Sequence, residues 1–255
     1  MSDSYPTAVE GLKLLHASAT DVGERRTRNE DSIGFFEPSD RSGPYLVVVA
    51  DGVGGSNAGE VASQLAVETV GRVFYADGDP VDEGQALLLA MQAANDAIFN
   101  EAATDPAKLG MCTTCTCAAI RGNSIVVGHL GDCTAYMAVD GVLVKLTNDH
   151  SLAEEYIQQG REIPPDQAHI TNVLTRWMGI DGEIQAEISE AMLFNEENNL
   201  VICSDGLTKV VQDAEILRTV SMHLPGSACR KLVKTAKNNG GPDNISLQVS
   251  RLTRF

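Results

Sequence analysis

The chain has 255 residues, with 35 Asp and Glu against 19 Lys and Arg and a formal charge of −16 at pH 7. That length suits one large domain or two small ones and buries enough surface to need no disulfide staples. Its acidity argues against nucleic acid or an anionic membrane as partner, and 43% hydrophobic with 21% charged residues excludes a largely disordered chain.

In chain order, Met1–Leu15 has neither a basic start nor an apolar core, and no apolar run approaches the roughly 18 residues of a membrane span, so a cytoplasmic protein is expected. Strands are expected at Ser32–Phe36 and Tyr45–Ala50, then helices at Asn57–Tyr75 and Gly84–Ala103. A run of strands follows at Thr113–Ile120, Ser124–Leu130, Thr134–Val139 and Val142–Leu146. Asp140-Gly141, between the last two, supplies the two positive-φ positions of a type I′ hairpin turn. Ser151-Leu-Ala-Glu154 has capping-box spacing and opens a helix over Leu152–Gly160. Residues 149–180, with Pro164-Pro165 and mixed polarity, are the least regular and are expected to form a mobile flap over a site. Strands at Glu187–Ala191 and Leu200–Cys203, helices at Asp213–Met222 and Ser227–Asn238 and a strand at Ile245–Leu252 complete the chain, with Asn239-Gly240-Gly241 stopping the last helix.

No linker composition or charge block divides the sequence, so residues 1–255 read as a single domain. Short connections make the sheets mostly antiparallel, and the helices fall in pairs between groups of strands. The economical architecture is α+β: a four-layer αββα sandwich, two sheets face to face with a helix pair on each outer side. Of six cysteines, Cys115 and Cys117 alternate onto one strand face and Cys112 onto the other. They read as buried thiols in a reducing compartment, since one strand cannot wrap thiolates tetrahedrally around zinc.

The informative pattern is a recurrence. Leu46-Val-Val-Val-Ala50 runs into Asp51-Gly52, Leu200-Val-Ile-Cys-Ser204 into Asp205-Gly206, and Ile125–Leu130 into Gly131-Asp132. Glu30-Asp31 and Asp243-Asn244 sit just before strands. Antiparallel packing would gather these acids at one edge of the sandwich. At 4 Å and an effective dielectric of about 20, each like-charged pair costs roughly 4 kcal/mol, so either protons or a multivalent cation must hold them. Oxygen-only donors select hard ions, Mg²⁺ or Mn²⁺, with Asp51 best placed to bridge two. Arginines at Arg25, Arg26 and Arg28 stand beside the first acids, and a guanidinium fork can take two oxygens of a phosphate. Together these features point to metal-assisted phosphoester hydrolysis.

The ordered set Arg26-x-x-x-Glu30-Asp31, Asp51-Gly52-Val-Gly54-Gly55, Gly59-Glu60, Met111-Cys-Thr113-Thr114, Gly131-Asp132, Ser204-Asp205-Gly206 and Gly241-Pro-Asp243-Asn244 resembles the bacterial metal-dependent serine/threonine phosphatases of the type 2C (PPM) family. The resemblance implies a metal centre at one end of the sandwich, binding two Mn²⁺ or Mg²⁺ ions. By matching position, Asp51 bridges both ions, Gly52 gives a carbonyl, and Asp205 and Asp243 complete one shell. Glu30 serves the second ion, Asp31 and Asn244 support through hydrogen bonds, Asp132 with Asp205 matches a third-metal position, and Arg26 matches the phosphate-binding arginine. The implied reaction is hydrolysis of phosphoserine and phosphothreonine in proteins by a metal-bridging hydroxide. Its partners would be phosphorylated proteins and a cognate Ser/Thr kinase, for a monomer without nucleic acid or membrane.

Some positions depart from the family. Val53 stands where animal members carry a histidine after Asp-Gly, so no matched residue protonates the leaving oxygen and a metal-bound water is the default acid. Cys112 replaces a glycine before Thr113-Thr114, and Cys133-Thr134 replaces Ser-Arg after Asp132. His150 reads as a surface residue near a helix cap, His129 as a satisfied core residue, and Arg25 and Arg28 as surface cations. A non-catalytic regulatory or scaffolding module is the alternative, but such copies should lack a bridging acid and none is missing. Asp51-Gly52-Val53 lacks the Asp-x-Asp nucleophile pair that haloacid-type phosphatases need, and a phosphate-cradling loop ending Gly-Lys-Ser/Thr is absent, which argues against a nucleotide hydrolase.

Overall fold

The computed structural model describes residues 7–9, 12–40, 42–53, 58–161, 163, 170, 173–192 and 197–254. Eleven strands among them form two antiparallel sheets. The first has the order β1 (Thr7–Val9), β2 (Leu12–Asp21), β11 (Ile245–Arg254), β10 (Glu197–Cys203), β7 (Thr134–Val139), β8 (Val142–Lys145). The second runs β3 (Asp31–Phe36), β4 (Tyr45–Asp51), β5 (Cys115–Arg121), β6 (Ser124–Leu130), β9 (Glu187–Met192). Helices α1 (Gly59–Phe74) and α2 (Glu83–Ala102) cover the second sheet, and α5 (Asp213–Met222) and α6 (Pro225–Asn238) cover the first. The expected αββα sandwich is therefore present.

Period-two alternation explains how three cores stack in register. Along β4, Tyr45, Val47 and Val49 face the other sheet and meet Ile120, Leu200 and Ile202. Leu46, Val48 and Ala50 face α1 and α2, against Ala62, Ala66, Val70, Met91 and Ile98. Along β10 the same alternation sends Val201 and Cys203 to α5 and α6, where Ile216, Val220 and Leu232 pack. Strands covered on both faces need apolar residues at nearly every position, which is why β4 reads as an unbroken hydrophobic run. Fully burying each such Val, Leu or Ile contributes about 1.5–3 kcal/mol.

Local signals hold where they were strongest. Asp140 and Gly141 have φ of 52° and 74°, and Val139 pairs with Val142, as a type I′ hairpin requires. Ser151 caps α3 (Leu152–Gln158), its Oγ accepting the Glu154 N–H at 3.2 Å. All six cysteines are free thiols and five are buried. The sequence reading missed β1, β2 and the four-residue helix α4 (Asp205–Thr208). Alanine, serine and histidine dilute the apolar pattern of β2, although Ala17 and Ala19 lie in the core under α6. Residues 54–57 at the expected start of α1, including Gly54 and Gly55, lie outside the described residues.

So do residues 162, 164–169 and 171–172 of the expected flap, including Pro164-Pro165. What is described of that segment is anchored. Ser151 bridges Leu174 and Met178 bridges Thr113. The buried Asn95 of α2 accepts the N–H groups of Gly179 and Ile180 at 2.9 and 3.0 Å.

Candidate metal centre and active site

The sandwich ends in acids because strand ends and starts meet there. Asp31 and Asp51 are cross-strand partners at the open end of β3 and β4. In the facing sheet Cys203 pairs with both Leu247 and Thr134, so Asp205 after β10, Asp243 before β11 and Asp132 before β7 come to the same end. Asp51, Asp132, Asp205 and Asp243 line one cleft of about 410 Å³, together with Arg26, Val53, Thr114 and Lys209. Glu30 and Asp31 do not line it. Asp31 is buried behind it, and Glu30 reaches it through Arg26.

Each acid is held by its own fittings. The backbone of Asp51 is clamped by the two residues just before β5: its N–H donates to Thr114 Oγ1 at 3.0 Å, while Thr114 N–H and Thr113 Oγ1 donate to its carbonyl at 2.9 and 2.8 Å. Gly52 N–H donates to the Glu30 carbonyl at 3.0 Å. A side chain at position 52 would run into the Gly59 carbonyl where α1 begins, so only glycine lets the helix approach. Ser204 Oγ donates to Asp31 Oδ2 at 2.8 Å and accepts Ser246 N–H at 3.0 Å, tying the two sheets behind the cleft. Asn244 accepts Glu30 N–H at 2.8 Å and donates to the carbonyls of Val22 and Arg28 at 2.9 and 2.8 Å, so one amide pins the whole loop that carries Arg26.

Two cations meet the acids. Arg26 forks onto Asp243, with Nε 3.0 Å from Oδ1 and Nη2 3.0 Å from Oδ2, and its Nη1 stands 3.4 Å from Glu30 Oε2. Lys209 pairs with Asp205 one helical turn earlier in the chain. Even so, the carboxyls resist ionisation. Burial, then the charges of Asp31, Asp205, Asp132 and Asp243, push Asp51 well above the usual carboxylate range. Burial and the Asp205 charge bring Asp132 up to about 7, and burial brings Asp31 to about 6 against the opposing hydrogen bonds of Ser246 and Ser204. Burial also raises Asp205 and Glu30, opposed by Lys209 and Arg26 respectively.

This donor set fits hard divalent cations by its chemistry. It is all oxygen, it repels itself, and Asp31 Oδ1 and Asp205 Oδ1 are buried with no hydrogen-bond partner among the described residues. Among those residues no three acids, histidines or cysteines stand close enough to coordinate one ion as they are, and Arg26 and Lys209 occupy Asp243 and Asp205.

The sequence reading did not identify Lys209, although Asp205-x-x-x-Lys209 has the i,i+4 spacing of a helical ion pair. It named Thr113-Thr114 without their clamp on Asp51. His150 is a correction: it is 5% exposed, not a surface residue. Its Nδ1 accepts Gly131 N–H at 3.0 Å and its N–H donates to the Gly131 carbonyl at 2.7 Å, bracing the turn that presents Asp132. Behind it, His129 is a satisfied core residue bonded to Thr116 Oγ1 and the Asn148 carbonyl at 2.8 and 2.9 Å. Arg25 and Arg28 are exposed, as expected. Among the described residues no histidine lines the cleft, and His169 lies outside them.

The chain is similar to known proteins in sequence and fold. The chain is 32% identical over 249 residues to the serine/threonine protein phosphatase PstP of Mycobacterium tuberculosis, covering 96% of this chain and 46% of PstP. It thus spans about half the length of that relative. It is 33% identical over 235 residues to the protein phosphatase PhpP of Streptococcus pneumoniae, covering 90% of this chain and 94% of PhpP. The crystal structure of the PstP catalytic domain in complex with two manganese ions superposes with a TM-score of 0.83 at 30% identity, over 95% of this chain and 99% of that one. The family model for protein phosphatase 2C matches residues 23–236, a span that holds every cleft acid except Asp243, and the chain belongs to the protein phosphatase 2C family.

Proposed function

We propose that the chain is a metal-dependent protein serine/threonine phosphatase, a phosphoric monoester hydrolase that cleaves phosphoserine and phosphothreonine in proteins by direct attack of water on phosphorus. The observation that carries this reading is that four carboxylates from four separate strand termini face one cleft beside a guanidinium. The two manganese ions of the PstP catalytic domain support the same metals here, Mn²⁺ or Mg²⁺. Asp51, the Gly52 carbonyl, Asp205, Asp243 and Glu30 would hold two ions, with Asp132 and Asp205 offering a third position, and Asp31 and Asn244 keep those ligands in place. Such ions, when bound, supply an acidified water and offset charge on the phosphoryl oxygens.

The chain's own groups account for the rest. Arg26 presents a planar fork at the mouth of the cleft, and exchanging Asp243 for two phosphate oxygens keeps its hydrogen bonds while orienting the ester. Lys209 can make the same exchange from Asp205, and His150 steadies the Gly131-Asp132 turn. Among the described lining residues none is a histidine, and water is the source we assign for the proton taken up by the leaving serine or threonine oxygen. We place the protein in the cytoplasm as a monomer opposing a cognate Ser/Thr kinase. The charge of −16 supports the absence of a nucleic-acid or membrane partner. The presence of every acid in the set weighs against the non-catalytic reading.

The test is hydrolysis of p-nitrophenyl phosphate and a phosphothreonine peptide after EDTA treatment, with and without added Mn²⁺. Turnover that depends on Mn²⁺ and vanishes in Asp51→Ala supports the assignment. Full turnover in excess EDTA refutes it. Single-turnover hydrolysis in ¹⁸O-labelled water that releases unlabelled phosphate would refute direct attack.

A further inference from the structure

The charge of this acidic chain is unevenly spread. Residues 216–242 contain five Lys and Arg and no Asp or Glu, in a sequence where acids outnumber bases 35 to 19. Four of those cations, Arg230, Lys231, Lys234 and Lys237, lie on α6. Arg230, Lys234 and Lys237 follow 4,3 spacing, so they share one helix face and span about 10 Å along its axis. With Arg25 and Glu24 they line an open groove of about 630 Å³ between α6 and the loop after β2. Lys237 is committed, 3.0 Å from Asp21 and 3.3 Å from Glu24. Arg25, Arg230 and Lys234 are exposed and form no ion pair with any described residue.

The groove and the cleft are lined by neighbouring stretches of the same two chain segments. Arg25, on its wall, is the residue before Arg26, and Gly240, at its end, lies three residues before Asp243. Glu24 N–H donates to the Gly241 carbonyl at 2.8 Å, joining the two lining segments between groove and cleft. A peptide with its phosphorylated residue at Arg26 and Asp243 can therefore lay its flanking residues along α6. In a protein of net −16, this is where an anionic flank gains rather than loses on approach.

Resting on the phosphatase reading above, we propose that this groove is a docking site for a run of Asp and Glu side chains flanking the phosphorylated residue, so that the enzyme prefers acidic phosphoprotein segments. Arg25, Arg230 and Lys234 supply the free cations, and Lys237 holds the loop that forms the opposite wall.

The experiment compares kcat/KM for three phosphothreonine peptides, one with neutral flanks and two with an Asp-Glu run on the N- or C-terminal side, at low and at high salt. Two or three exposed ion pairs give a preference of about tenfold for one acidic peptide at low salt, screened away at high salt. In Arg230→Ala/Lys234→Ala that ratio falls to near one. In Arg72→Ala/Lys108→Ala, which removes the same net charge from the opposite side of the sandwich, it stays near tenfold. A parent ratio near one while all peptides are turned over overturns the docking site and leaves the phosphatase assignment standing. So does a preference that survives in Arg230→Ala/Lys234→Ala. Fluorescence anisotropy with the unphosphorylated acidic peptide reads the groove independently of turnover: binding that the Arg230→Ala/Lys234→Ala change does not weaken overturns the proposal even if no peptide is hydrolysed.

Discussion

Replacing Asp132 with asparagine should stabilise the metal-free protein at neutral and basic pH. Burial and the neighbouring Asp205 charge hold the Asp132 carboxyl at about 7, against an ordinary value of 3.8. Because the folded form keeps the proton more tightly than the unfolded one, the carboxylate opposes folding, fully so above pH 7. The penalty shrinks as the pH falls toward 3.8 and disappears below it. At about 1.4 kcal/mol per tenfold change in acidity, the interval corresponds to about 4 kcal/mol. The other acids can relax by sharing the proton, so a gain of about 2–4 kcal/mol at pH 8 is expected for Asp132→Asn. For a chain of this length that raises Tm by about 5–15 °C. Thermal melts in EDTA at pH 8 and pH 5 measure it directly, and at pH 5 the gain should drop to about a third of its value at pH 8. Added Mn²⁺ should stabilise the parent more than the variant. A variant no more stable than the parent at pH 8, or a gain that is the same at both pH values, would refute the view that these carboxylates are held together against their own repulsion.

Arg26→Ala removes a charge-assisted fork worth roughly 1.5–3 kcal/mol, so kcat/KM for a phosphopeptide should fall about 10- to 150-fold. Mn²⁺ affinity by calorimetry should hold, because Asp243 is freed, and loss of metal binding as deep as in Asp51→Ala would contradict this. Asn244→Ala strips partners from three backbone groups at 2.8–2.9 Å and should cost about 2–4 kcal/mol in urea unfolding, with less than 1 kcal/mol counting against its role as the loop's anchor. His16, stacked 3.9 Å from Phe35, is held at about 4 by burial, below its ordinary 6.5, so the fold keeps it neutral while the unfolded chain protonates it. Stability should therefore fall by about 3 kcal/mol as pH drops from 6.5 to 4, and His16→Gln should lack that portion of the acid slope in denaturation curves.

Much of this protein can be read without coordinates wherever the deciding interactions are local. Tyr45, Val47 and Val49 alternate with Leu46, Val48 and Ala50 as the pleat demands, Asp140-Gly141 is a turn by backbone preference alone, and Ser151 caps a helix three residues away. Acids placed at the ends of apolar runs pointed to one edge of a sandwich because antiparallel strands must bring ends and starts together. The strand β2 escaped notice because its small and polar residues are made apolar-facing only by the helix that covers them. Lys209 was visible as spacing but not as a partner, and His150 looked exposed until the fold buried it under the Gly131 turn. Which charge meets which was settled in three dimensions: Arg26 grips Asp243 across 217 residues of chain, and the loop beside it meets the basic face of α6. Periodicity, caps and turns act within a few residues and leave their mark on the sequence. A carboxylate's protonation and a cation's choice of partner depend on burial and distance, and these exist only once the sheets have packed.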